Sequence, residues 1–338
     1  MIQLSKLNNK YINIYRGKSF VLPNVSLCKP HLNSTISSKV IVFDLDETIG
    51  SFGDLYILWC AIDRYCPNHK MKFNLLLDIY PEFLRYGILN ILDFLYYKKK
   101  TGECNKIFIY TKNQCPRYWV NNIIQYLNLK LNTTFELFDQ VITSFTPLHN
   151  KKVQSASPCS TPEGGVLNVQ RCKYKSGVNS NLLLETESMR TTQVKTHSDF
   201  IKCSLLPKTT EICFIDNTYY DRMKNDKVYY IKPKSYNHSL STDEIIERFI
   251  SSDVYKTYFG EKDKNSHSME SFLYDWFLVN GQFRKSSGLE NNNLEVDIMV
   301  SQKIMYYIKE FFYLTTRKAK TKKTKWKLGK FTRKKSNR

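Results

Sequence analysis

Short apolar runs recur along the chain, and three of them end on a polar residue capable of chemistry. Val40–Phe43 lead into Asp44, Ile107–Tyr110 into Thr111, and Ile212–Ile215 into Asp216. An unbroken apolar run of this length is the pattern of a strand buried on both faces of a parallel sheet. VYYI at 228–231 predicts a further strand. Between these runs the spacing turns helical. Trp119, Val120, Ile123, Ile124 and Leu127 make one stripe behind Pro116, a residue suited to a helix start. Leu55–Tyr65 and Leu75–Tyr97 also read as helical, the second as buried helix because Asp78, Glu82, Arg85 and Asp93 interrupt it. Thr196-x-x-Asp199 and Ser241-x-x-Glu244 have the capping-box form and predict helix starts near those residues. Two more amphipathic helices are predicted at about 267–279 and 294–314. Strands alternating with helices predict an α/β fold, Rossmann-like, with a central parallel sheet flanked by helices.

The same pattern divides the chain. Residues 1–38 form an N-terminal extension, 39–235 the α/β domain, 236–314 helices packed on its core, and 315–338 a basic tail. A stretch at about 146–194, rich in Ser, Thr and Asn and carrying Pro147, Pro158, Pro162 and Gly164-Gly165, reads as an insertion over the strand ends. Short strands are expected in it around 166–174 and 181–186.

Composition narrows the class. A chain of 338 residues with 42% hydrophobic and 14% aromatic residues is globular. No apolar run reaches membrane-spanning length, and the first residues lack a signal-peptide core, so a cytoplasmic or nuclear, intracellular protein is expected. Nine cysteines show no CxxC pair and no Cys/His spacing for zinc, and read as reduced thiols. Gly17-Lys18-Ser19 is not a nucleotide-binding loop, because the glycine required five residues earlier is Ile12. The formal charge is +20, and residues 317–338 hold twelve Lys or Arg and no acid. Such a run predicts contact with nucleic acid or an acidic protein surface by counterion release, or a nuclear-import signal.

The candidate chemistry lies where the runs end. Asp44 and Asp46 are one residue apart at the carboxyl end of a predicted strand, where open α/β sheets bind ligands. Two carboxylates so close repel unless a cation or a shared proton relieves them, and hard oxygen ligands suit Mg²⁺. Thr111, between a strand end and a helix start, can hold a phosphate oxygen beside free backbone N–H groups.

The segment DLDET at 44–48 resembles the first motif of the haloacid dehalogenase superfamily. It is most similar to phosphatases of the RNA polymerase II C-terminal domain, the NLI-interacting-factor-like branch. KIFIYT at 106–111, a lysine before the helix at 196, and EICFIDN at 211–217 follow in the order of that family's remaining motifs. The resemblance implies a Mg²⁺-dependent phosphatase with Asp44 as phosphate-accepting nucleophile and Asp46 as general acid/base. It implies Thr111 and Lys195 as phosphate ligands, with Lys202 as the competing lysine. Asn217 would complete the metal shell that Asp44 and Asp46 begin, and Asp216 would hold it in place. Asp221 is a weaker candidate for the shell, and Arg171 and Arg190 in the insertion are candidates to reach the substrate. The implied substrate is a phosphorylated protein or peptide. A nucleotide or polynucleotide-end phosphatase, and a non-catalytic binding module on the same scaffold, are the alternatives. The insertion departs from compact family members, and no BRCT-like segment follows the motifs. DLDET combined with a lysine-rich tail is also similar to proteins encoded by large DNA viruses.

Overall fold

The computed structural model describes residues 10–21, 38–144, 159–160, 166–167, 190–260, 268–281, 283–284 and 291–316. In chain order the strands are β1 (Ile12–Arg16), β2 (Phe20–Val21), β3 (Lys39–Phe43), β4 (Lys106–Tyr110), β5 (Gln140–Ile142), β6 (Cys159–Ser160), β7 (Val166–Leu167), β8 (Glu211–Ile215), β9 (Val228–Pro233) and β10 (Thr315–Thr316). The helices are α1 (Gly53–Tyr65), α2 (Phe73–Ile79), α3 (Ile88–Lys100), α4 (Arg117–Lys130), α5 (His197–Ser204), α6 (Thr242–Ser251), α7 (Asp253–Tyr258), α8 (Met269–Asn280) and α9 (Asn291–Tyr313).

Six strands form one sheet in the order β1–β9–β8–β3–β4–β5, parallel except for the antiparallel edge strand β1. β2 pairs with β10 and β6 with β7, both antiparallel. Numbered by chain order, the parallel strands lie 3-2-1-4-5, the doubly wound order whose direction reverses between the first and fourth. That reversal falls between β3 and β8. The architecture is thus α/β, a mixed and mostly parallel sheet flanked by helices, and it is compatible with a Rossmann-like fold. Among the described residues no helix is long and apolar enough to cross a membrane.

The continuous apolar runs follow from burial on both faces. Ile41, Phe43, Ile109, Ile215 and Ile231 turn to one face, against α1–α4 and the C-terminal helices. Val40, Val42, Phe108 and Phe214 turn to the other, against Phe200 and Cys203 of α5. All five stripe residues of α4 are buried, which explains their spacing.

The stretch Leu75–Tyr97 is not one helix. α2 stops at Ile79, a single 3₁₀ turn covers Pro81–Phe83, and α3 begins only after Gly87, whose φ is +70°. Pro81 cannot donate into a continuing helix, and left-handed Gly87 cannot belong to one. The freed segment makes a bridge from Leu84 to Gly50 and buries Arg85. Gly50 is needed there, since a Cβ would stand 2.4 Å from the Phe83 carbonyl oxygen.

α6 begins as expected after Ser241. The Ser241 hydroxyl accepts from the Glu244 N–H at 3.2 Å, and the Glu244 carboxylate accepts from the Ser241 N–H at 2.7 Å. Ser241→Ala should lower stability by about 1 kcal/mol, read as a shifted urea midpoint at unchanged slope. An unshifted midpoint would show the cap to be dispensable.

α9 buries Val300, Ile304, Ile308 and Phe311 along one stripe. Its carboxyl end is held by Lys39, whose Nζ donates to the carbonyls of Phe311, Phe312 and Leu314 at 2.8, 2.9 and 2.7 Å. Lys39 opens β3, so the described chain finishes beside the amino ends of the strands, away from the Asp44 end. Residues 317–338, Arg171, and the strand expected at 181–186 lie outside the described residues; of the strand expected at 166–174, β7 covers 166–167 and the rest also lies outside them. Cys115 is disulfide-bonded, which corrects the expectation of reduced thiols throughout. Pairing depends on approach in space, and residue spacing does not reveal it.

Candidate active site at the carboxyl edge of the sheet

β3 and β8 pair in register, Phe43 opposite Ile215, and the Asp44 N–H donates to the Ile215 carbonyl at 2.9 Å. Asp44 and Asp216 therefore leave neighbouring strands at the same level, at the point where the sheet order reverses. Lys195 stands between them, its Nζ 2.7 Å from Asp44 Oδ1 and 2.6 Å from Asp216 Oδ2. Lys195 and Asp216 are wholly buried. Burial works against the Lys195 charge, but Asp216 and Asp44 outweigh it and hold the ammonium above its ordinary pKa. Burial likewise raises the Asp216 carboxyl, to about 7, against the pull of Lys195.

Local sequence delivers Lys195 to this position. Thr196 caps α5, its hydroxyl accepting from the Asp199 N–H at 3.1 Å, so Lys195 precedes the helix and points inward. Lys202, the competing lysine, is exposed on α5.

A cleft of about 710 Å³ opens over these strand ends, lined by Asp44, Asp46, Thr111, Asn113, Asn217 and Ser235 among others. Asp46 accepts from the Asn113 amide at 2.7 Å. Burial pushes the Asp46 carboxyl up to about 7; the Asn113 bond opposes the shift and the Asp44 charge adds to it. A carboxyl held there can give or take a proton near neutrality. Thr111 extends β4 by donating its N–H to Ile142 at 2.9 Å, and its hydroxyl accepts from the Asn113 N–H at 3.0 Å.

Asn217 is braced on both ends of its amide. Its Oδ1 accepts from the Thr48 hydroxyl at 3.0 Å, and its Nδ2 donates to Glu47 at 2.8 Å and to Ser235 at 3.0 Å. Glu47 adopts a φ of +57°, an uncommon conformation for a residue with a side chain, which turns the loop back toward Asn217. The opposite wall carries Asp54, bonded to His238 at 3.0 Å and near Arg284 at 3.5 Å.

Asp44, Asp46, Thr111, Lys195, Asp216 and Asn217 are thus brought together, whereas Lys202, Asp221 and Arg190 are not. Asp221 is exposed on a 3₁₀ turn and pairs with Lys224, away from the cleft. Arg190 does not reach the cleft, because its guanidinium is buried against main-chain carbonyls. Sequence reasoning missed Asn113 and the bracing role of Glu47, Thr48 and Ser235. It also missed Arg85, which signals itself as a lone cation in an apolar stretch between Pro81 and Gly87, a setting that demands buried partners.

The donor set suits a hard divalent cation. Asp44, Asp46 and Asn217 all line the cleft and offer a carboxylate, a backbone carbonyl and an amide oxygen, with the Asp46 carboxyl left for proton transfer. Asp216 lies behind this set, since one of its oxygens accepts from Lys195 and the other from the Thr218 N–H at 2.7 Å. Among the described residues no group of three or more His, Cys, Asp or Glu side chains forms a metal site by itself. No protein-family model, curated protein or solved structure matches the chain.

Proposed function

We propose that this chain is a Mg²⁺-dependent phosphomonoester hydrolase of the haloacid dehalogenase type, acting on phosphoserine or phosphothreonine in proteins. One observation carries the reading: a buried lysine joins two strand-end carboxylates while a third, Asp46, lines the cleft beside them. Asp44 attacks phosphorus and becomes the aspartyl-phosphate as the ester oxygen departs. Asp46 gives the departing oxygen its proton, then takes one from the water that cleaves the acyl phosphate. Asn113 fixes the direction of the Asp46 carboxyl during both transfers. Thr111 and Lys195 hold phosphoryl oxygens as charge redistributes. Asp44, Asn217 and the Asp46 backbone carbonyl would hold Mg²⁺, which would supply neutralisation of the phosphate charge.

The purified chain should hydrolyse an aryl phosphate and phosphoserine peptides with Mg²⁺ and lose that turnover on chelation. Faster turnover of 5′- or 3′-phosphorylated oligonucleotides than of phosphopeptides would move the reading to a polynucleotide-end phosphatase. No turnover on any of these substrates would end it.

A further inference from the structure

Two arginines are enclosed on either side of the cleft without lining it. Neither has a carboxylate within ion-pair distance among the described residues; each is held by backbone oxygens. Arg85 Nε donates to the Thr48 carbonyl at 2.6 Å, and its Nη2 donates to the carbonyls of Glu47 at 2.6 Å and Lys234 at 2.9 Å. Arg190 Nη1 donates to the carbonyls of Thr111 at 2.8 Å and Thr143 at 2.9 Å, and its Nη2 to that of Gln193 at 2.8 Å. Their planes lie over Tyr236 and Tyr110, 5.2 and 4.9 Å from the ring centres.

A buried guanidinium costs several kcal/mol of desolvation unless its donors are met, so a purely structural role would be filled more cheaply by an apolar side chain. What an apolar side chain lacks is the rigid fork that ties three carbonyls drawn from more than one segment. The segments tied here are those that carry the site. Arg85 joins the loop after Asp46 to the end of β9, and that loop, through Glu47 and Thr48, braces Asn217. Arg190 joins the end of β4 at Thr111 to the end of β5 and to the loop that delivers Lys195. Thr111, Thr143 and Lys234 each stand one residue past a strand end, and the Glu47 carbonyl also accepts from the Tyr236 N–H at 2.9 Å, so each guanidinium adds a tie between loops where the ladder stops.

We infer that Arg85 and Arg190 are positioning residues with divided tasks: Arg85 sets the Asp46–Asn217 side of the site, and Arg190 sets the Thr111–Lys195 side. The kinetic consequences rest on the phosphatase reading; the structural division does not.

The test compares Arg85→Lys and Arg190→Lys in the full chain. Lysine keeps the charge and loses the planar fork. Arg85→Lys should lower kcat on an aryl phosphate by about 10–100-fold and raise the Mg²⁺ concentration needed for half-activation, with KM changed little. Arg190→Lys should instead raise KM and the inhibition constant for inorganic phosphate by about 10-fold, with a smaller fall in kcat. Hydrogen exchange needs no turnover and gives an independent readout. Exchange should quicken locally at residues 47–50 in the first variant, and at residues 111–113 and 195–196 in the second. Wild-type kinetics with unchanged exchange would overturn the inference. So would the same loss in both variants accompanied by faster exchange throughout the chain. If the wild-type chain shows no turnover, the phosphatase reading falls, and the exchange pattern alone decides the division between the two arginines.

Discussion

Asp44→Asn should reduce aryl-phosphate turnover by about 10⁴-fold or more while leaving the fold intact. Asparagine preserves the shape of the side chain and still accepts from Lys195, but it removes the nucleophile and one charged ligand of the proposed Mg²⁺ together. Lys195 also keeps its 2.6 Å partner in Asp216, so the variant should melt close to the wild type. Acid-quenched wild-type enzyme should carry a hydroxylamine-labile phosphoryl group, and the variant none. Turnover that survives the substitution would remove the aspartyl-phosphate from the mechanism, whatever the substrate.

The second large effect is on stability. Lys195→Met leaves Asp44 and Asp216 facing each other without the cation between them, Asp216 wholly buried. Removing one partner of a buried ionic group costs about 3–5 kcal/mol, because the remaining charge is uncompensated. Urea denaturation should show that loss above neutral pH. The sign with pH follows from Asp216. Its folded carboxyl is already raised to about 7, so the folded state binds the extra proton and is favoured as pH falls below that value. The penalty should therefore shrink toward acid pH. Combining Lys195→Met with Asp216→Asn should recover part of the stability, since the second change removes the charge the first exposed. A single variant as stable as the wild type at all pH values would show that the lysine does not neutralise these carboxylates.

Much of the site was legible because its residues sit at strand ends, and strand ends are local features. Four apolar residues followed by a polar one mark where a buried strand leaves the core, and this placed Asp44, Thr111 and Asp216. The helix start at Thr196 is equally local, since its hydroxyl bonds a backbone N–H three residues on. Asn113 is a different case. Nothing in the stretch from Lys112 to Cys115 indicates that its amide will reach Asp46, because that contact depends on β4 lying beside β3. Arg190 was misplaced for the same reason. A loop arginine reads as free to reach a substrate unless the carbonyls of Thr111, Thr143 and Gln193 are known to converge on it.

Although β1 and β5 carried no such mark, the chain by itself marked four of the six strands of the main sheet, most of its helix starts and the polar residues that end the core runs. These depend on burial and hydrogen bonding within a few residues. Only the tertiary structure decided which lysine neutralises the carboxylates, which amide aims Asp46, and which arginines bind the loops together. Those outcomes depend on strand order and register, which join segments far apart in the chain and leave no periodic trace in either one.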